Sequence, residues 1–298
     1  RDRSVSRGLG DVYKRQQENG YCNLFFMTHE SQYDNMNAFL RTNGFDEIYA
    51  QENYPSEKVV NSFGVQDDFM YQYALPILNE RAGTGNPFFS VLLSISNHPP
   101  YVIPPYFHPH SDVLEEQIVE YADWSIRQFM QAAEKQPWFD NTIFVFLGDH
   151  GKMVGTPECE MPQSYNHIPL MIYGKDIKPG VYDGFGGQVD VSPTLLGLLN
   201  ISYLQNNFGV NLLEEERPCM FFTADNLIGA RDSVNMFIYS PDSQQEFKYK
   251  LEEGKLHAAT GTDEEAFRNL KDYCFSMLQS TESLVKEHKT LDKVSVKK

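Results

Sequence analysis

Asn141-Thr142-Ile143-Phe144-Val145-Phe146-Leu147-Gly148-Asp149-His150-Gly151 is the stretch on which the reading of this chain turns. The apolar run Thr142–Leu147 is far shorter than the roughly 18 residues that span a bilayer. It reads as a strand buried on both faces, and it stops abruptly at Gly-Asp-His-Gly. A carboxylate and an imidazole on adjacent residues, held where a buried strand ends, can reach one cation. Asp149 offers a hard anionic oxygen and His150 a borderline nitrogen, a set that suits Zn²⁺, Mn²⁺ or a similar ion. The flanking glycines permit close backbone approach. An Asp-His pair alone in a loop is also an ordinary structural feature, so the reading leans on what surrounds it.

Upstream, Pro87–Ser96 is a second apolar run, broken at Asn97-His98-Pro99-Pro100-Tyr101. A His at a strand mouth can donate a hydrogen bond to a substrate or leaving-group oxygen. His98 is the candidate catalytic residue, with Asn97 the natural second donor; the alternative is a His that only ties its own loop. Downstream, Ile168–Tyr173 reads as a third strand. His167, just before it, could face the cation and substrate or serve the loop. His108 and His110 fall in a proline-rich loop and read as solvent-exposed.

Further strands are expected at Asn23–Thr28 and Glu47–Ala50. Helices are expected at Gln32–Asn43 (stopped by Gly44), Asp67–Arg81, Leu114–Lys135 and Asp190–Leu199, with a polar, turn-rich stretch from Asn53 to Asp68. Strand–helix alternation with buried strands predicts an α/β fold whose parallel sheet is covered on both faces. Sites in such sheets lie at the carboxyl ends of strands. His98 and Asp149 are therefore expected to end adjacent or next-adjacent strands of one parallel sheet and to share a cavity. From about Asn207 the texture shifts to short alternating runs, Cys219–Thr223, Val234–Tyr239 and Glu246–Leu251, then a helix over Asp263–Lys286 and a basic tail. The expected organisation is a catalytic core over 17–206 and a smaller antiparallel β plus helix subdomain over 207–298.

The chain has 298 residues, 41% hydrophobic, and a formal charge of -16. That charge argues against nucleic acid, which is bound through a surplus of Lys and Arg. Four separated cysteines give neither a metal knot nor a disulfide framework. Arg1–Gln16 carries five basic and two acidic residues and no apolar core. It is no signal peptide, and is set aside as a non-native scar; a genuine tail is the alternative.

The ordered stretches QYDNMNAFLRTNGFDEIY, SFGVQDDFMYQYALPIL, PFFSVLLSISNHPPY, EYADWSIRQFM, NTIFVFLGDHG, NHIPLMIYG and QVDVSPTLLGLL, over roughly Asn23 to Leu213, resemble the lipoteichoic acid synthase-like phosphoglycerol transferases. That family belongs to the sulfatase/alkaline phosphatase superfamily. The resemblance implies a parallel-sheet sandwich of that type. It implies one divalent metal ion (Mn, Mg, Zn or Ca) on Asp149 and His150, with His98 touching substrate and Asn35 and His167 on the substrate side. Asp34 and Met36 replace the aromatic and basic residues that flank Asn35 in the Gram-positive transferases. The family's nucleophile, usually Thr, and an acidic metal ligand precede these motifs. Gln16–Thr28 holds no strand–nucleophile–helix unit, Thr28 and Thr156 lack its setting, and Cys159-Glu160-Met161-Pro162 does not fit Cys-x-Pro-x-Arg.

The resemblance therefore implies an N-terminally truncated chain, silent alone. Its parent would be a metal-dependent phosphoglycerol or phosphoryl-group transferase working through a phospho-enzyme on a phospholipid or envelope-glycan substrate. It would be held at the outer face of the cell membrane by N-terminal helices outside these residues. A sulfuric ester hydrolase or phosphodiesterase of the same superfamily is one alternative. A non-catalytic metal- or glycan-binding module is the other.

Overall fold

A computed structural model describes residues 19–153, 155–203, 207–259 and 264–287. The expected scar at Arg1–Gln16 and the closing basic tail lie outside the described residues. The chain forms two compact units that divide between Thr142 and Ile143. The change of texture expected at Asn207 thus falls inside the second unit.

The first unit is built on β1, Cys22–Met27, which is flanked in parallel by β2, Glu47–Tyr49, and β5, Phe88–Leu93. Phe25 pairs with Ile48 on one side and Val91 on the other. Leu24, Phe26 and Met27 are fully buried, so both strand faces are apolar, as a central parallel strand requires. Phe25 and Met27 pack with Leu40, Phe45 and Ala50 on one face, while Phe26 stacks on Tyr49 at 4.8 Å on the other. The helix expected from Gln32 begins later, as α1, Met36–Thr42. Asp34 and Asn35 take left-handed φ of 47° and 63°, which ends a short 3₁₀ turn and re-aims the chain. The polar stretch beyond β2 holds a small hairpin of β3, Val59–Asn61, and β4, Gly64–Val65. Helices α2, Asp67–Gly83, and α3, Leu114–Ala133, pack through Tyr71 on Phe129 and through Tyr121, whose hydroxyl donates to Asp68 at 2.6 Å.

In the second unit, β6, Phe144–Leu147, and β7, Leu170–Tyr173, form their own antiparallel pair, with Leu147 opposite Leu170. This corrects the expectation of one parallel sheet for all the buried strands: β5 and β6 belong to different hydrogen-bonded sheets. Among the described residues the segment between β6 and β7 holds only α4, the single turn Gln163–Asn166, in place of the full helix usual for a parallel return.

Helix α5, Gln188–Leu198, follows. Then comes a five-stranded antiparallel meander of β8, Met220–Ala224; β9, Leu227–Arg231; β10, Asn235–Ser240; β11, Gln245–Glu252; and β12, Lys255–Ala258. Helix α6, Glu264–Lys286, closes one face, with Phe267, Leu270 and Cys274 packed on Ile228, Ala230 and Phe237. Strands β9 and β12 were not anticipated. Each is entered through a two-residue turn at positive φ, Asp225–Asn226 and Glu253–Gly254, the geometry that matches hairpin twist. Among the described residues no helix is long and apolar enough to cross a membrane.

Asp190, fully buried in the first turn of α5, ties this unit together. Its carboxylate accepts from the Gly187 and Val210 amides, both at 2.8 Å, and from the Arg217 guanidinium, whose Nε lies 2.8 Å from Oδ2. Removing one partner of a buried ion pair strands the other charge, at about 3–5 kcal/mol. Asp190→Asn should lower the unfolding free energy by that order in urea denaturation, whereas a loss under about 1 kcal/mol, the range of surface pairs, would contradict the clamp. All four cysteines are free. Burial pushes the Cys159 thiol up to about 11 and Cys274 to about 12. Both should stay unlabelled by a thiol reagent at pH 8 until the chain is unfolded.

Candidate functional site

In the first unit the candidate residues stand where β1 and β5 end. His98 follows β5 and is exposed, with Nδ1 2.7 Å from the Pro99 carbonyl. A carbonyl only accepts, so Nδ1 carries the proton and Nε2 keeps its lone pair in the neutral ring. Donation from Nε2 to a leaving oxygen therefore needs the protonated ring; the neutral ring can instead take a proton there. Asn97 is exposed beside it.

His29 was missed by the sequence reading. It lies two residues past the end of β1, is 3% exposed, and places Nδ1 3.0 Å from the Glu30 carbonyl. A run of rings then joins the two strand ends: His29 to Tyr33 at 5.0 Å, Tyr33 to Phe63 at 6.2 Å, and Phe63 to His98 at 4.3 Å. Asn35 is exposed two residues past Tyr33, held in its left-handed conformation with its amide on the Gln32 carbonyl at 3.0 Å. Two successive non-glycine residues at positive φ are uncommon and cluster where a surface must be aimed.

The β3–β4 hairpin spaces these ends. The Val65 amide donates to the Thr28 carbonyl at 3.2 Å, and Asn61 Nδ2 donates to the Pro100 carbonyl at 3.1 Å. Gly64 has φ of 90°, and a Cβ there would stand 1.7 Å from the Thr28 oxygen. Only glycine allows that seat.

In the second unit Asp149 and His150 leave β6 together. Asp149 Oδ1 accepts the His150 amide at 2.9 Å, and Oδ2 lies 3.6 Å from His150 Nε2. His150 Nδ1 is 2.8 Å from the Gly151 carbonyl, which again assigns the proton to Nδ1 and leaves Nε2 open. Carboxylate oxygen and imidazole nitrogen thus lie close together, both well exposed. That donor set fits a divalent cation as part of its coordination. Among the described residues no group of three or more His, Cys, Asp and Glu side chains gathers to complete one.

The loop itself is held by backbone. Gln188 Nε2, at the start of α5, donates to the Asp149 carbonyl at 2.6 Å and the Gly148 carbonyl at 3.2 Å. The Gly151 amide donates to the Tyr165 carbonyl at 2.9 Å, and a Cβ at Gly151 would stand 2.2 Å from the Ser164 oxygen. It is Tyr165 whose ring stacks on His150, at 5.7 Å. His167 is exposed at the end of α4, its amide on the Gln163 carbonyl at 2.7 Å.

A sequence model of the sulfatase family matches residues 6–201. Lipoteichoic acid synthase 1 of Bacillus subtilis is 23% identical over 273 residues, covering 80% of this chain and 41% of that protein. The chain spans about two fifths of the length of the curated relatives it matches. Among solved structures, an alkaline phosphatase superfamily protein from Vibrio parahaemolyticus superposes with a TM-score of 0.80 at 24% identity, covering 94% of this chain and 76% of the other. A lipoteichoic acid synthase from Listeria monocytogenes gives 0.78 at 22% identity, covering 94% and 75%. The chain has the alkaline phosphatase/sulfatase fold, mixed α/β with a parallel sheet and a C-terminal antiparallel sheet and helix.

The two glycines test the loop geometry. Gly85 also has positive φ, 80°, but open space around its Cβ position. Gly85→Ala should cost about 1 kcal/mol from backbone strain alone, and Gly64→Ala more than about 2, since backbone has to move as well. Gly151→Ala should cost about 1–3 kcal/mol through overpacking. Equal losses for Gly64→Ala and Gly85→Ala would contradict the seat on Thr28.

Proposed function

The chain belongs to the sulfatase family, and we propose that within it the chain is part of a metal-dependent phosphoglycerol or phosphoryl-group transferase acting on a lipid- or glycan-linked substrate. The observation that carries this reading is the Asp149–His150 pair, with an open imidazole nitrogen 3.6 Å from a carboxylate oxygen at a strand end. The likeness to lipoteichoic acid synthases over 80% of the chain supports the substrate class.

Asp149 and His150 would hold one divalent cation, Mn, Mg, Zn or Ca. Such an ion, when bound, lowers the pKa of a nucleophile and offsets charge on the transferring group. His98 would work through Nε2, taking a proton from the entering hydroxyl or, once protonated, giving one to the leaving oxygen. Asn97 adds an amide donor beside it. Asn35, held in a left-handed turn, and His167 would contact the parts of the substrate that do not react. The nucleophile of this scheme, expected to be a Thr, is assigned outside these residues, so two displacements at phosphorus need the longer protein. We assign the catalytic core to 17–206 and a supporting role to 207–298. The setting is the outer face of the cell membrane, where the proposed substrates lie.

Calorimetric titration with Mn²⁺ tests the carrying observation on the chain itself. One ion should bind per chain, and Asp149→Ala and His150→Ala should each weaken binding by at least about tenfold, the lower range for disturbing a metal shell. In the longer protein, labelled glycerophosphate should move from glycerophospholipid vesicles to an acceptor, and Asp149→Ala should abolish transfer. Metal binding that survives both substitutions, or turnover of aryl sulfates in place of phosphodiesters, would overturn the reading.

A further inference from the structure

The segment that carries His98 leaves β5 and runs exposed from Asn97 to Pro100, yet its root is buried. What holds the root is Asp67, the first residue of α2, 1% exposed. Its Oδ1 accepts the Ile95 amide at 2.9 Å and the Ser96 amide at 3.2 Å, and Oδ2 shares the Ser96 amide at 3.3 Å. In return the Asp67 amide donates to Ser96 Oγ at 3.4 Å, and that hydroxyl donates to Gln66 Oε1 at 3.4 Å. Gln66 and Asp67 at the start of α2 thus exchange hydrogen bonds with Ile95 and Ser96 just past β5.

Beyond His98, Gln66 Nε2 donates to the Val102 carbonyl at 3.0 Å and Asn61 to the Pro100 carbonyl at 3.1 Å. Phe63 lies against the imidazole itself. The segment 61–67 thus grips the loop on both sides of His98.

A carboxylate is a costly way to start a helix in a buried place. Burial pushes the Asp67 carboxyl up from the usual carboxylate range, and the Ile95 and Ser96 groups that donate to it pull it back down. An exposed Ser or Asp would cap α2 without that cost. The neighbouring Asp68 has a different task, accepting the Tyr106 and Tyr121 hydroxyls that join α2 to α3 and its approach. Hydrogen bonds to an ionised acceptor are shorter and stronger than neutral ones. Asp67 directs all of its own at the two residues that precede Asn97 and His98.

We propose that Asp67 is the positioning residue for His98: it fixes the Ile95–Ser96 amides so that the imidazole is presented to substrate in one orientation. Asp67 itself touches no substrate. The inference rests on the role given to His98 under Proposed function.

Hydrogen–deuterium exchange on the full chain decides it without turnover. In Asp67→Asn, amides of 94–98 should exchange at least about tenfold faster, the scale of losing one bond to a charged group, while amides of 70–82 in α2 keep the wild-type rate. Unchanged exchange at 94–98, or an equal rise along α2, would overturn the proposal. If Asp67→Asn does not fold, the wild-type chain decides: the Ile95 and Ser96 amides, which Asp67 accepts, should exchange at least about tenfold more slowly than the Asn97 amide, and equal rates would overturn the proposal.

In the transferring protein, Asp67→Asn should lower kcat with KM held within about twofold, and Asp67→Asn added to His98→Ala should cost nothing further. Additive losses would contradict the link. Absence of any phosphoester turnover in the wild type would sink the transferase reading and leave the exchange result standing by itself.

Discussion

Three carbonyls at the end of β1 set the geometry of the first unit. Met27 accepts the Tyr54 hydroxyl at 2.9 Å, Thr28 the Val65 amide at 3.2 Å, and His29 the Gln51 amide at 3.0 Å. Each donor comes from later in the chain, and each meets a strand end too buried for water to serve. Buried carbonyls have to be paired, so three separate connections are drawn to one point. The hairpin so placed carries Phe63 to His98 and Asn61 to Pro100. Burial of Leu24, Phe26 and Met27 supplies the anchorage, at about 1.5–3 kcal/mol for each large side chain. His98 can then stay exposed.

The second unit follows the same logic with different parts. The Gly148–Gly151 loop is held by its backbone, between Gln188 of α5 and the Tyr165 carbonyl of α4. The Asp149 and His150 side chains add bonds within the loop itself. Asp149 and His150 orient each other, and the Gly151 carbonyl fixes which imidazole nitrogen is open. Helix α5 is in turn fastened by Asp190 and Arg217, so the sharpest motif downstream, Asp-x-x-Pro-Thr-Leu-Leu, is explained by packing. Arg231 of β9 reaches Gln163 of α4 at 2.6 Å, which joins the meander to the loop's other support.

Much of this was legible in the residues. Apolar runs named β1, β5, β6 and β7, apolar residues at helical spacing named α2 and an amphipathic pattern α3, with ends displaced by a few residues. Strand mouths drew attention to His98 and to Asp149–His150. Pairing was less legible, because an apolar strand of four residues reads alike in parallel and antiparallel company, and β6–β7 was misjudged on that account. The primed turns before β9 and β12 were visible as Asp-Asn and Glu-Gly, yet strands so short gave little alternation to support them. His29 carried the same strand-end signal as His98 and went unweighed. Asp67 was read only as the start of a helix, since its partners lie 28 and 29 residues away and no local pattern announces them.

In the proposed function, chemistry is carried by exposed side chains at strand ends, Asp149 and His150 above all. Crystals soaked with Zn²⁺ and measured at the zinc absorption edge test it most directly. An anomalous peak is expected about 2.0–2.2 Å from an Asp149 carboxylate oxygen and about 2.0–2.1 Å from His150 Nε2, with His150 Nδ1 still turned to the Gly151 carbonyl. A peak that engages neither residue, or one that reaches His150 through Nδ1, would contradict it.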